Sequence, residues 1–314
     1  HRYVRLRRKL LGVDELHFYD IYAPMVGDVE MSFTYEEACD IILKALEPMG
    51  EEYLSIVRQG LSQRWIDVYE NPGKRSGAYS AGGYGMHPVI LLNFHGTLDD
   101  VFTLIHEMGH AMHSYLSSRN QPTSCADYVI FVAEVASTCN EVLLMKYLLS
   151  RTSDRTERAY LINHFLDQFK GTIYRQTQFA EFELFMGQHS EKGETLTADV
   201  LSDKYLELNK LYYGPDMVSD DLIKLEWARI PHFFYNYYVF QYATGFSAAV
   251  AIANRILREG APAVADYKKF LSGGSSTDPI SLLKIAGVDM STPDPVNSAL
   301  SLFGELVDEM EKLC

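Results

Sequence analysis

The chain has 314 residues, 47% hydrophobic and 22% charged, enough apolar material for one large globular domain or two smaller ones. Its formal net charge of -14 disfavours a nucleic-acid partner, because phosphate binding needs basic patches and the one basic cluster, Arg2, Arg5, Arg7, Arg8 and Lys9, is short. Cys39, Cys125, Cys139 and Cys314 form no C-x-x-C pair and suit reduced thiols in a cytoplasmic protein better than a disulfide framework.

Helix-like apolar spacing runs through most of the chain. The opening run His1-Arg2-Tyr3-Val4-Arg5 is helix-like, and helices are predicted over 36–46, 51–68, 99–117, 127–149, 156–186, 199–211, 234–258, 262–271, 280–286 and 296–313. Strand-like segments are few. Trp65 to Tyr69 competes with the end of the helix over 51–68, and Pro88 to Phe94 is short, apolar and β-prone, with an edge that could pair with an extended peptide. Between them Gly77 to Gly85 reads as a mobile loop; it lacks the Gly-Lys-Ser/Thr ending of a phosphate cradle, which argues against nucleotide binding. Phe233 to Ala253 is 21 residues without a formal charge. That length could cross a bilayer, but Asn236, Gln241, Thr244, Ser247 and several tyrosines suit a helix lining a polar cleft, so no membrane association is expected. No internal repeat or composition shift forces a domain boundary.

The most informative segment is His106-Glu107-Met108-Gly109-His110, a His-Glu-x-x-His pattern inside a predicted helix. At about 3.6 residues per turn the two histidines share one face, where they can grip a single Zn²⁺ while Glu107 projects beside the open coordination position. Thr97-Leu98-Asp99-Asp100 supplies cap-type residues just before the helix, so the motif sits on strand, turn and helix.

A catalytic zinc takes three protein ligands and leaves one position for water. Extended metzincin spacing would need a glycine at 113 and a histidine at 116; the chain has His113 and Leu116, and that class is rejected. His113 is expected to pack or hydrogen-bond rather than to ligate. The predicted helix over 127–149 instead offers Glu134 on a largely apolar element, where an unpaired carboxylate is costly and a metal would be a sufficient partner. Glu141, two turns further on, either orients a ligating imidazole through its second nitrogen or is a simple surface glutamate. Cys139 reads as a buried structural thiol.

The stretch from His232 to Tyr242 is unusually aromatic. Tyr235, Tyr238 and Tyr242 follow i, i+3, i+7 spacing and would share a helical face with His232. Phenol and imidazole can donate to a peptide carbonyl or an oxyanion, though the same pattern describes a core helix whose hydroxyls are satisfied locally.

Leu104 to Tyr115 with its three histidines, Phe131 to Thr138, Ile230 to Gly245, and Ser272 to Ser275 with Ala286 to Asp289 together resemble the thimet-oligopeptidase-like metallopeptidases, most closely the bacterial oligoendopeptidase F branch. The resemblance spans most of the chain from about Glu36 onward. It implies zinc held by His106, His110 and Glu134, with Glu107 as general base, in agreement with the spacing; His232 and Tyr235 or Tyr238 become the candidate oxyanion donors. The expected fold is mainly α, a zincin-like helical metallopeptidase catalytic domain with a small β element beside the active-site helix. The expected function is zinc-dependent endopeptidase hydrolysis of short peptides, Glu107 activating a zinc-bound water. An exopeptidase on the same scaffold, or a catalytically silent zinc- and peptide-binding module, are the alternatives. Family members carry a further N-terminal region, so residues 1–314 are expected to be a catalytic-domain fragment or a shortened relative.

Overall fold

The structure, a computed structural model, describes every residue except Asp28 and Glu30. Among the described residues it holds twelve α-helices and three short strands, grouped into two compact units that are each discontinuous in sequence.

One unit comprises Glu30–Ser153 and Thr244–Leu300. It contains α2 (Tyr35–Ala45), α3 (Gly50–Ser62), β1 (Ile66–Asp67), β2 (Tyr79–Ala81), β3 (Val89–Leu91), α4 (Leu98–Asn120) and α5 (Ile130–Arg151), followed by α10 (Ala261–Leu271) and α11 (Pro279–Ile285). Helix α4 packs on α5, α2, α3 and α10 and carries the small sheet on another side. Its start is well specified: Thr97 accepts from the Asp100 N–H while the Asp100 carboxylate accepts from the Thr97 N–H, so two donors orphaned at the helix end are satisfied reciprocally. The seam between α4 and α5 depends on Gly109, where a methyl group would stand 2.6 Å from the Ser137 Cα and 2.7 Å from the Ala136 carbonyl oxygen. No larger residue fits without parting the helices. Buried Asn140 of α5 stitches the seam, donating to the Ile105 carbonyl at 3.3 Å and accepting from the Tyr53 hydroxyl at 3.3 Å.

The sheet corrects three expectations. The helix predicted over 51–68 stops at Ser62, because Arg64 turns to a φ of 62° and Trp65 drops into the core, and the chain then enters β1. The segment from Gly77 to Gly85 is not wholly loop, since Tyr79 to Ala81 form β2. The strand order is β1-β3-β2, with β3 parallel to β1 and antiparallel to β2. The edge expected on β3 is therefore already paired on both sides, and the outer strands are β1 and β2.

The other unit comprises His1–Val29, Asp154–Ala243 and Ser301–Cys314. Helix α1 (Arg2–Leu11) opens it. The single helix predicted over 156–186 is α6 (Arg155–Phe169) and α7 (Arg175–Glu191) joined by a π-helical segment, Lys170–Tyr174. Helix α8 (Ala198–Tyr213) packs against α7. Phe179, Phe182, Tyr205, Leu208, Ile230 and Val239 form one core cluster of this unit, and Phe233 packs against it. A buried ion pair pins the 3₁₀ segment Asp221–Arg229: Glu226 accepts from Arg175 at 2.7 Å and from the Tyr205 hydroxyl at 2.6 Å. Two further helices, α9 (Phe240–Glu259) and α12 (Asp294–Leu313), complete the set.

Candidate metal centre and aromatic cluster

Helix α4 presents His106 and His110 on one face, their Nε2 atoms 3.1 Å apart. Across the seam Oε2 of Glu134 lies 3.4 Å from the His106 Nε2 and 3.5 Å from the His110 Nε2. A tetrahedral ion bound at about 2.0–2.1 Å keeps its ligand atoms roughly 3.3 Å apart, so the three donors already have the mutual spacing such an ion needs. These three residues form a group able to hold a metal ion.

The surrounding polar groups agree with that reading of the geometry. Glu141 pairs with Nδ1 of His106, which turns Nε2 of that ring toward His110 and Glu134. The sequence left Glu141 between this role and a surface position; its side chain is largely buried. Burial lowers the His106 pKa, but hydrogen bonds to Glu134 and Glu141 outweigh it and raise the pKa to about 10. Burial likewise raises the Glu134 carboxyl, and the two imidazoles overcome it and hold the group well below the usual carboxylate range. The donor set thus favours positive charge at its centre, which a divalent cation supplies.

Glu107 projects into the same cleft of about 370 Å³, lined also by Ala78 to Ser80, His106, His110, Tyr128 and Glu134. It is buried, takes a backbone hydrogen bond from Ser80, and has an Oε2 with no hydrogen-bond partner. Burial raises its pKa. A desolvated carboxylate with a spare acceptor is a base waiting for a proton.

His113, one turn beyond His110, is packed away as expected: it is buried, stacks on Tyr128 with ring centroids 3.6 Å apart, and burial pushes its pKa down to about 3. Tyr128 is a cleft residue that sequence reasoning missed. Its ring seals His113 while its hydroxyl sits 2.9 Å from Ser114 Oγ; only the three-dimensional fold brings that loop over α4.

In the other unit the predicted helix over 234–258 begins six residues late. Pro231–Phe234 is a 3₁₀ turn, Asn236 and Tyr237 take φ values of 44° and 57°, and α9 starts at Phe240. Left-handed residues end any right-handed helix, so Tyr235, Tyr238 and Tyr242 do not share a helical face. Their rings still gather around His232, with centroids 5.9, 6.0 and 6.1 Å from its imidazole for Tyr235, Tyr238 and Tyr242. The Tyr242 hydroxyl is 3.5 Å from Nε2 of His232. Glu183, another residue the sequence reading missed, holds the turn: buried on α7, it accepts the Tyr237 N–H at 3.1 Å. Its position four residues after Phe179 and one after Phe182, on a core-facing stripe, is the signal that could have found it.

A mainly helical fold with a His-Glu-x-x-His helix and a carboxylate from the neighbouring helix defines a metallopeptidase-like class. The chain belongs to peptidase family M3, whose profile matches residues 1–302. It is 55% identical over 313 residues to oligopeptidase PepF of Bacillus subtilis (strain 168), an alignment covering 100% of this chain and 47% of that protein. Chromosomal oligoendopeptidase F of Lactococcus lactis subsp. cremoris is 47% identical, over 100% of this chain and 52% of its own. The crystal structure of oligoendopeptidase-F from Enterococcus faecium superposes with a TM-score of 0.78 at 44% identity, covering 100% of this chain and 49% of that one. The chain thus spans about half the length of the curated relatives it matches.

Proposed function

We propose that this chain carries the chemistry of a zinc-dependent endopeptidase that hydrolyses internal bonds of short peptides, and that it works in the cytoplasm. The observation that carries the proposal is the three-donor cluster of His106, His110 and Glu134 with the partnerless oxygen of Glu107 in the same cleft. Zinc held there would act as a Lewis acid and lower the pKa of a bound water to about 7. Glu107 takes the proton of the attacking water at its carboxylate and passes it to the leaving amine, as general base and then general acid. Glu141 keeps the His106 ring oriented. In the aromatic cluster, His232 and Tyr235 or Tyr238 donate to the oxyanion that develops at the scissile carbonyl, an assignment that rests on the donor chemistry of the cluster itself.

The sheet suggests how a peptide is held. With β3 enclosed, the pairing role passes to β2, whose Tyr79 and Ser80 line the cleft. An extended peptide adding to that strand would lie along α4.

The test is metal analysis paired with cleavage mapping on an internally quenched peptide blocked at both ends. Glu107→Gln should keep the metal and lose at least about 10²-fold in kcat, the scale of a lost general base. Activity within a few-fold of the parent defeats the mechanism, and cleavage only of peptides with a free terminus points to an exopeptidase instead.

A further inference from the structure

We infer that a second cavity in the unit that holds the metal centre receives a lysine or arginine side chain of the peptide, two or three residues from the cut, and that Glu70 selects it. The inference rests on the peptidase reading above. The cavity has a volume of about 690 Å³, within the range of roughly 300–1,000 Å³ typical of ligand pockets. Ala78 lines both this cavity and the metal-side cleft. Its α4 wall is Asp100 and Thr103, which precede His106 by six and three residues. At about 1.5 Å of rise per residue that is roughly 5–9 Å along the helix, and an extended peptide covers the distance in two or three residues at about 3.3 Å each.

The hydrogen-bonding groups of the cavity decide the charge of the occupant. The Lys74 ammonium, almost fully buried, donates to the carbonyls of Tyr69 at 2.6 Å and Asp67 at 3.2 Å and lies 3.3 Å from Oδ1 of Asp67. Two of its N–H groups are thus engaged by carbonyls, and its charge is paired with the Asp67 carboxylate. Both hydrogens of the Asn93 amide are likewise spent, on the carbonyls of Gly77 at 2.8 Å and Arg75 at 2.9 Å. The Lys74 and Asn93 nitrogens, the donors best placed to attract an anion, are therefore engaged, while the Glu70 carboxylate is open to a cation. The Glu70 carboxylate is 72% exposed, and Nε2 of His95 stands 3.9 Å from it, beyond hydrogen-bond distance. Asp100, whose Oδ2 caps α4, adds a second negative charge to the wall. Pro72 and Ala78 offer accessible apolar surface against which an aliphatic stem can lie. An aliphatic stem ending in a cation is the side chain of lysine or arginine.

The experiment uses the metal-loaded enzyme and blocked peptides with one cleavable bond, identical except for Lys, Gln or Glu at each of three positions on either side of the cut. The expected result is a Lys-over-Glu preference of about tenfold in kcat/KM two or three residues from the cut, reduced to about threefold or less by Glu70→Gln and inverted by Glu70→Lys. Cleavage of the Gln peptide should change less in both variants than that of either charged peptide, because its side chain carries no charge for position 70 to read. Binding of the same peptides to Glu107→Gln protein should follow the same order in Kd. A preference indifferent to Glu70, or none at any position, overturns the inference and leaves the peptidase reading standing. Cleavage of no peptide at all overturns that reading, and the inference with it.

Discussion

The seam between α4 and α5 and the aromatic turn before α9 are both rich in functional groups, and they teach opposite lessons about spacing. On the seam, four residues of rise and turn in a regular helix put His106 and His110 on one face, and the partner carboxylate arrives from a second regular helix. At the turn, the same periodic reasoning fails, because Asn236 and Tyr237 adopt left-handed φ values that a regular helix cannot hold. The rings nevertheless converge. What gathers them is the burial of Phe233 and Val239 in the neighbouring core and the capture of the Tyr237 N–H by Glu183. A helix carries its geometry within its own hydrogen bonds, whereas an irregular turn borrows geometry from its surroundings.

The turn offers the largest effect by which to sharpen this contrast. Replacing Tyr235 or Tyr238 by Phe removes one hydroxyl and leaves the ring, so at the position that donates to the oxyanion kcat should fall by about 10²–10³. Metal content should not change. Steady-state kinetics on both variants identifies the donor, and two unaffected variants would make these tyrosines packing residues and leave His232 as the remaining candidate.

The seam can be broken with a single methyl group. Gly109→Ala places a Cβ against the Ser137 backbone, and backbone cannot swing aside as a flexible side chain can. The expected cost is about 1–3 kcal/mol of stability, the scale of an overpacked core, together with weaker metal binding as Glu134 is pushed from the histidines. Denaturant melts and a metal titration read the two consequences separately. Native stability and affinity in this variant would mean that the close approach of α4 and α5 is not what sets the site.

The smallest effect separates the third histidine of α4 from the other two. His113 is neutral in the folded protein down to about pH 3 because burial lowers its pKa, while in the unfolded chain it titrates near 6.5. Between those values the unfolded state binds the extra proton, so stability should fall with falling pH by up to about 1.4 kcal/mol per unit from this group, and be unaffected by it above about pH 6.5. His113→Phe, which can keep the stack on Tyr128, should remove that part of the slope. Chemical melts of both proteins between pH 4 and 7 test it; equal slopes would show that His113 takes up a proton in the native state.

Much of the candidate metal centre's geometry was legible in the sequence because its parts are local. The His-Glu-x-x-His interval, the Thr97 to Asp100 cap and the apolar run around Glu134 each state their meaning within one or two helical turns. The π-helical segment Lys170–Tyr174 was missed within the helix predicted over 156–186, and helix boundaries were missed at Arg64 and at Asn236 to Tyr237, where a left-handed residue intervened. No periodic signal marks such residues, since their cost is repaid by partners distant in the chain.

The sequence by itself determined that α4 carries two imidazoles and a carboxylate at fixed angular positions, and that a glutamate on a later, largely apolar helix needed a strong partner. Only the tertiary structure decided that β2 rather than β3 is the strand beside the cleft, that Glu141 takes the second nitrogen of His106, that Tyr128 seals His113, and that Glu183 holds the aromatic turn. The reason is physical. Helical angles follow from backbone hydrogen bonds four residues apart, whereas strand order, outer hydrogen bonds and close helix approaches are settled by which surfaces exclude water together, over separations that no local pattern spans.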